Sequence, residues 1–374
     1  MDFDNIKRIS RRVLLGTEKV LLTPLSWCYG AGVWMRNKAF DAGILKEESF
    51  EVPVVSVGNI TVGGTGKTPH VEYIVSRLGR RYNIAVLSRG YKRRTKGFVM
   101  ANDNLTPVDL GDEPYQIYHK FRGLIDVAVC ENRRKGIETL LKINPNIDLI
   151  ILDDAFQHRY VKPKVNVVMI DYNRPPFEDK LLPLGQLREP PHRILKGECD
   201  MVVVTKCPDD VKPVDLRMFK EHLSLFKYQQ LYFSKIRYGA PEPVFPIGNP
   251  ELTSLNWLDK DDLLLGIAGI ANPRPFTKYL KQFGTRLKVI HYDDHHTYTR
   301  SDFRYIFKVL QELEGRRKFI ITTEKDAVRI LNSPYFPPTR RDQIFFIPIQ
   351  ADFLNYEDRD FIYEMQTLIS ANED

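Results

Sequence analysis

Residues 52–68 read Val-Pro-Val-Val-Ser-Val-Gly-Asn-Ile-Thr-Val-Gly-Gly-Thr-Gly-Lys-Thr, and Pro69 follows. An apolar, β-branched run enters a glycine-rich turn that closes on Gly66-Lys67-Thr68. This is the layout of a phosphate-binding loop set between a buried strand and a helix. Glycines let backbone N–H groups close on phosphate oxygens. The expected cradle is Thr61, Val62, Gly63, Gly64, Thr65, Gly66, Lys67 and Thr68. In it Lys67 reaches the β- and γ-phosphates, and the Thr68 hydroxyl meets Mg²⁺. The helix that starts near Thr68 turns its positive end toward the same oxygens. The usual pattern has Gly five residues before Gly66, where this chain has Thr61, so Gly63 and Gly64 are expected to supply the freedom.

Outside the loop, apolar runs at 83–88, 126–130, 148–152, 165–170 and 200–205 alternate with helical stretches. That βαβ rhythm predicts an α/β fold, a phosphate-loop, doubly wound and mostly parallel sheet. A less regular stretch over about 206–260 is rich in Pro, Lys and aromatics. Further apolar runs at 263–270, 286–291, 317–323 and 344–348 predict a second, smaller α/β portion. The expected division is therefore 1–50 as an N-terminal segment, 51–255 as the nucleotide-binding domain and 256–374 as the smaller C-terminal domain.

The 374 residues suffice for one large domain or two ordinary ones. A net charge of +7 suits an anionic partner: a nucleotide, a phosphorylated substrate, an acidic lipid surface or nucleic acid. No aromatic-and-basic RNA or DNA motif accompanies the charge, which argues against nucleic acid. Cys28, Cys130, Cys199 and Cys207 form no Cys-x-x-Cys pair and read as free thiols in a reducing compartment. No apolar run is long enough to cross a bilayer, and no clean signal peptide opens the chain.

The first fifty residues differ from the rest. Ile6, Ile9, Val13, Leu14, Val20 and Leu21 recur at helical spacing, with Lys7, Arg8, Arg11 and Arg12 opposing them. An apolar, aromatic segment with Trp27, Trp34 and Met35 follows, expected to be broken at Pro24 and Gly30. Such a helix either lies in a membrane interface or packs on the core with its charges in water.

Ligands of doubly wound folds lie at strand carboxyl ends, so acids there matter. Leu149-Ile150-Ile151-Leu152 runs into Asp153-Asp154-Ala155-Phe156-Gln157-His158. An apolar strand ending in acid is how a phosphate-loop enzyme supplies its second metal contact. Either carboxylate is a candidate, and Gln157 and His158 are candidates for phosphate. Gly111-Asp112-Glu113-Pro114 places two acids at a helix start, where they also serve as caps. Asp294-His295-His296 follows a strand, and a His paired with an Asp takes a proton from a hydroxyl. Within the loop-like stretch 181–190, Arg188 is suited to gripping phosphate bidentately. Arg133, Arg134 and Lys135 form another basic cluster beyond a strand.

Taken in order, the segments 59–69, Ser88-Arg89-Gly90-Tyr91, Gly111-Asp112-Glu113-Pro114, 153–158, Leu187-Arg188-Glu189-Pro190, Asp294-His295-His296 and 323–328 are specific. Together they closely resemble the tetraacyldisaccharide 4′-kinase family of lipid A biosynthesis, from the N-terminal helix to about residue 330. The Thr-first loop followed by Pro69 is that family's own pattern. The chain departs from it at Ala155, where Gly is usual, and at Gln186, where Pro is common; neither change removes a charge. The resemblance implies transfer of the ATP γ-phosphate, with Mg²⁺, to the 4′-hydroxyl of an acylated glucosamine disaccharide 1-phosphate lipid, forming lipid IVA. It implies a larger and a smaller domain, and a peripheral location on the cytoplasmic face of the bacterial inner membrane. The helix near the N-terminus would seat the enzyme on the inner leaflet. No obligate protein partner is implied. It also implies that Asp112 and His295 act together as base, beside Lys67. Thr68, Asp153 and Asp154 serve the metal, and Arg133, Gln157, His158, Arg188 and Glu189 serve the substrate. The competing reading is a phosphate-loop regulatory or assembly NTPase at a membrane, which needs neither the Asp-His step nor the apolar basic N-terminus.

Overall fold

The computed structural model describes residues 3–195, 197–246 and 250–371. It is a mixed α/β protein with a large, mostly parallel sheet and a second, five-stranded one. Two compact units divide the chain: residues 1–67, 148–235 and 352–374 form one, residues 68–147 and 236–351 the other.

In the first unit the strand Val54–Asn59 lies between Leu149–Asp153 and Val165–Asp171, parallel to both. Met201–Thr205 and then Gln230–Tyr238 continue the sheet in the same direction. These runs lack polar alternation because helices and loops cover both faces. Val168, Ile170, Val202 and Val204 pack against Ile60, Phe156 and Phe219. Each such side chain contributes roughly 1.5–3 kcal/mol by leaving water. Register sets Val57 opposite Asp153, Asn59 opposite Met169, and Asp171 opposite Thr205. The polar strand ends therefore collect at one edge of the sheet.

The first helix runs unbroken from Phe3 to Asp41, through Pro24 and Gly30, which corrects the expected break. An interior proline costs about 3 kcal/mol or more. Tertiary anchors at helical spacing offset it. Ser26 Oγ donates to Leu181 O at 2.8 Å, Tyr29 Oη to Arg188 O at 3.0 Å, and Asn37 Nδ2 to Glu189 Oε2 at 3.0 Å. Phe40 packs edge-on against Tyr160. The facing of side chains 6–21 lies outside the described residues.

In the second unit Ile84–Ser88 and Asp126–Val129 run parallel, with Val99–Met100 antiparallel to the latter. The five-stranded sheet has the order Arg286–His291, Leu263–Ala268, Lys318–Thr323, Ile344–Ile347, Glu242–Pro243, and only the last strand is antiparallel. Alternate residues feed separate cores on its two faces, as a period of two dictates. Leu263, Leu265 and Ile267 go to one, Leu264 and Ala268 to the other.

All the predicted strands from 83 onward are present within a residue or two of their expected limits. The stretch 206–260 is more regular than expected, holding the helix Pro213–Leu223 and the strand Gln230–Tyr238. That strand interleaves Lys235 and Arg237 with its apolar residues and is only partly buried, so its sequence carries a weak strand signal.

A buried charge cluster joins three helices of the second unit. Glu72, from the helix Lys67–Leu78, accepts Lys120 Nζ at 2.7 Å and Gln116 Nε2 at 2.7 Å. Glu324 accepts the same ammonium at 2.8 Å. Two carboxylates share one cation, so burial and the Glu324 charge push the Glu72 carboxyl well above its usual range. An acid raised in the folded state binds protons that the unfolded chain releases, so stability falls as pH rises through the interval between the two values. Glu72→Gln is expected to raise stability by roughly 1–2 kcal/mol at pH 8 relative to pH 5. Thermal melts at both pH values measure it, and an equal change at both would mean that Glu72 is ionised throughout.

Candidate active site

The loop after Val54–Asn59 is held from several sides by the first unit. Gly63 and Gly66 take φ values of +97° and +83°, where a side chain would be strained. Asn59 Nδ2 donates to Thr65 Oγ1 at 2.8 Å, and Thr205 Oγ1 donates to Thr65 O at 2.7 Å. Lys206 bonds Gly64 O and pairs with Asp171 at 2.7 Å. Val62 N donates to Gln186 O at 2.8 Å, and Arg188 Nε to Thr61 O at 3.1 Å. These bonds from neighbouring strands and loops hold the turn, and Lys67 and Thr68 open the next helix.

Asp154 stands at the centre of the charges. It leaves the strand Leu149–Asp153 with φ +54° and its N–H on Val57 O. Lys67 Nζ lies 3.4 Å from its carboxylate and Arg188 Nη2 lies 3.0 Å away. Burial raises its pKa, but Lys67 and Arg188 outweigh that and hold it at about 2. Asp154 is therefore ionised across any working pH. Asp153 is buried at the strand end. Gln157 Nε2 donates to Asn59 O at 2.6 Å, and His158 sits beside Tyr160. Glu189 is buried, and Asn37 together with Arg193 at 3.2 Å holds its carboxylate, so it anchors the first helix to the Arg188 loop.

The second unit carries the other predicted pair. Gly111, with φ +93°, precedes the helix Asp112–Lys120, and a Cβ there would lie 3.0 Å from Tyr91 O. This close approach to the 88–91 turn explains the glycine of that motif. His295, φ +65°, sits in the turn after the strand Arg286–His291. Its Nδ1 is 2.7 Å from Asp112 Oδ2. A carboxylate accepts, so Nδ1 carries the proton and Nε2 is left as the basic nitrogen. Asp294 Oδ2 lies 3.6 Å from that Nε2, and the Tyr91 ring lies 5.7 Å from the imidazole. His296 is engaged elsewhere, on Asp302 at 3.0 Å and stacked on Tyr292. Burial pushes the Asp112 carboxyl up, yet hydrogen bonds from His295 and Arg329 hold it well below the usual range. Arg133 is buried at the start of the helix Arg133–Ile143, its Nη1 on Cys130 O and Glu131 O, whereas Arg134 is exposed with Glu138.

The arrangement offers cationic and backbone donors for phosphate in one unit and an oriented imidazole in the other. Asn59, Thr205, Lys206 and Arg329 were not expected as members. A strand-end Thr-Lys pair and an arginine within a helix are too common to single out by type alone.

A family model described as Tetraacyldisaccharide-1-P 4′-kinase matches residues 18–369. A protein of Phocaeicola vulgatus described as tetraacyldisaccharide 4′-kinase is 47% identical over 335 residues, covering 89% of this chain and 90% of that one. One of Bacteroides thetaiotaomicron with the same description is 46% identical over 346 residues, covering 90% of each. Among solved structures, LpxK from Aquifex aeolicus in complex with ATP is similar at a TM-score of 0.72 and 25% identity, covering 94% of this chain and 99% of that one.

Removing one support of the loop, by Thr205→Val or Lys206→Met, is expected to weaken ATP binding about tenfold and to lower the melting temperature, because Thr65 O or the buried Asp171 loses a partner. Calorimetric titration measures it, and wild-type affinity in both variants would mean that the backbone alone holds the turn.

Proposed function

The chain belongs to the tetraacyldisaccharide-1-P 4′-kinase family, and from that premise we propose that it transfers the γ-phosphate of ATP to the 4′-hydroxyl of a tetraacyldisaccharide 1-phosphate. The observation that carries the reading furthest is the Asp112–His295 pair, 2.7 Å apart in a partly buried turn. A hydroxyl acceptor needs a group to take its proton as the phosphoryl group arrives. Nε2 of His295 suits that role, with Asp112 orienting the ring and stabilising the imidazolium that forms. Lys67 and Arg188 offset charge on the transferring phosphoryl, and the amides of residues 61–68 cradle the remaining oxygens.

The donor chemistry fits Mg²⁺: Thr68 offers a hydroxyl, Asp153 and Asp154 carboxylates. Among the described residues no group of three or more His, Cys, Asp and Glu gathers into a metal cage. Thr68, Asp153 and Asp154 are the residues that would hold the ion. When bound, it would neutralise charge between the β- and γ-phosphates. Gln157, His158, Arg133 and Glu189 complete the proposed substrate set. Arg133 and Glu189 act through the segments they pin.

We further propose the division into 1–50, 51–255 and 256–374, and a peripheral place on the cytoplasmic face of the inner membrane. No helix among the described residues is long and apolar enough to cross a membrane. The first helix nevertheless exposes Trp27 at 73%, Trp34 at 58%, Met35 at 60% and Leu25 at 57%, away from its anchored face. Such a face suits the acyl boundary, where a four-chain acceptor resides.

Purified protein given γ-labelled ATP, Mg²⁺ and detergent-dispersed tetraacyldisaccharide 1-phosphate is expected to place label on the 4′-oxygen. Lys67→Ala and Asp112→Ala should lower turnover by about 10²-fold or more in folded protein. ATP turnover without lipid labelling would replace this reading with a regulatory NTPase. Trp27→Ser with Trp34→Ser should reduce co-sedimentation with anionic vesicles, and unchanged binding would remove the helix from the membrane contact.

A further inference from the structure

The run Thr323-Glu324-Lys325-Asp326-Ala327-Val328 opens the helix Glu324–Leu331, and one turn later comes Arg329. Nothing assigned to the phosphate loop or to the Asp–His pair accounts for this run. Its first turn is closed by Thr323, whose Oγ1 accepts Asp326 N–H at 3.2 Å. Asp326 is buried. Its Oδ2 accepts Gly269 N–H at 2.9 Å and its Oδ1 accepts Arg329 Nη1 at 2.9 Å. Gly269 O accepts the same Nη1 at 3.0 Å.

The Arg329 side chain, 7% exposed, is thereby locked on one edge. Its other edge meets Asp112: Nη2 at 2.7 Å and Nε at 3.1 Å, both on Oδ2. This is the oxygen that accepts His295 Nδ1, and Nη2 lies 3.3 Å from that nitrogen. The two helices are also tied elsewhere. Lys325 reaches Glu113 at 3.2 Å, Glu324 reaches Lys120 at 2.8 Å, and Val328 packs with Leu110 and Tyr115. Helix docking thus has other ties, and the guanidinium is aimed at the reacting pair.

We propose that Arg329 is a positioning residue for phosphoryl transfer: held by Asp326 and Gly269, it fixes Asp112 Oδ2 against His295. The inference rests on reading Asp112 and His295 as the base. A base must be free at working pH to accept the hydroxyl proton, and a fixed positive charge beside the pair favours its unprotonated form. The other charged or titratable groups that face the pair are Lys325 and Glu113 on the two helices, Asp294 beside Nε2, Asp326 behind the guanidinium, and Tyr91 against the ring.

The test measures kcat for lipid phosphorylation against pH in wild type, Arg329→Met and Arg329→Lys. The His295 ring titration is followed by NMR in the same proteins. Arg329→Met is expected to lose at least tenfold in kcat with KM for ATP unchanged. Its acid limb should move up by about one pH unit, and the ring titration should move the same way. Arg329→Lys, which keeps the charge but loses the fork, should recover most of the pH shift and less of kcat. A folded Arg329→Met with wild-type limb and ring titration overturns the inference. Should that variant not fold, Asp326→Asn replaces it: kcat is expected to fall several-fold with KM for ATP unchanged, and wild-type kcat overturns the inference. Wild-type protein that labels no lipid would sink the kinase reading instead, and the ring titration would still judge the coupling.

Discussion

A parallel sheet brings all its strand carboxyl ends to one edge, and the rest of this molecule depends on that constraint. Because Val54–Asn59 runs parallel to the strands on either side, Asn59, Asp153, Asp171 and Thr205 come to that edge together. There the backbone must turn, and the turn is the glycine loop proposed to hold phosphate. Asn59 and Thr205 hold Thr65, while Lys206, paired with Asp171, holds Gly64 just before it. An antiparallel strand in this position would carry half of these groups to the opposite edge, and the loop would lose its supports.

Buried charge obeys a second rule: a carboxylate taken from water is costly unless a cation or hydrogen-bond donors meet it, and several here are met by cations. Asp154 has Lys67 and Arg188. Asp112 has Arg329, with His295 on the same oxygen. Glu189 has Arg193. In the first two cases the partner is itself suited to chemistry, so the interaction that permits burial also sets protonation. Glu72 and Glu324 are the exception, since two acids share Lys120. There the compromise falls on the Glu72 proton.

Much of the fold was legible in the linear chain. Runs such as Leu149-Ile150-Ile151-Leu152 have one physical use in a protein of this composition, a strand covered on both faces, and their limits are marked by the polar residues that follow. The glycine turn was equally plain, because the φ values at Gly63 and Gly66 strain any residue with a side chain. The strand Gln230–Tyr238 was obscured by Lys235 and Arg237, since a partly buried strand needs no uninterrupted apolar run. The continuity of the first helix through Pro24 could not be read either. Local propensity opposes it, and distant partners such as Leu181, Arg188 and Glu189 outweigh the local cost.

The amino-acid order by itself determined the alternation of strands and helices, the glycine turn with Lys67, the acids at the end of the fourth long apolar run, and the candidacy of Asp112 and His295. These are properties of short segments, set by periodicity, φ preference and side-chain chemistry. Only the tertiary structure decided that Asp112 and His295, 183 positions apart, share a hydrogen bond, and that Arg329 joins them on the same oxygen. It also decided that His295, not His296, is the partner, because His296 is taken up by Asp302 and Tyr292. Distance in space is fixed by how the elements pack, and packing is a sum over many contacts that no single segment contains.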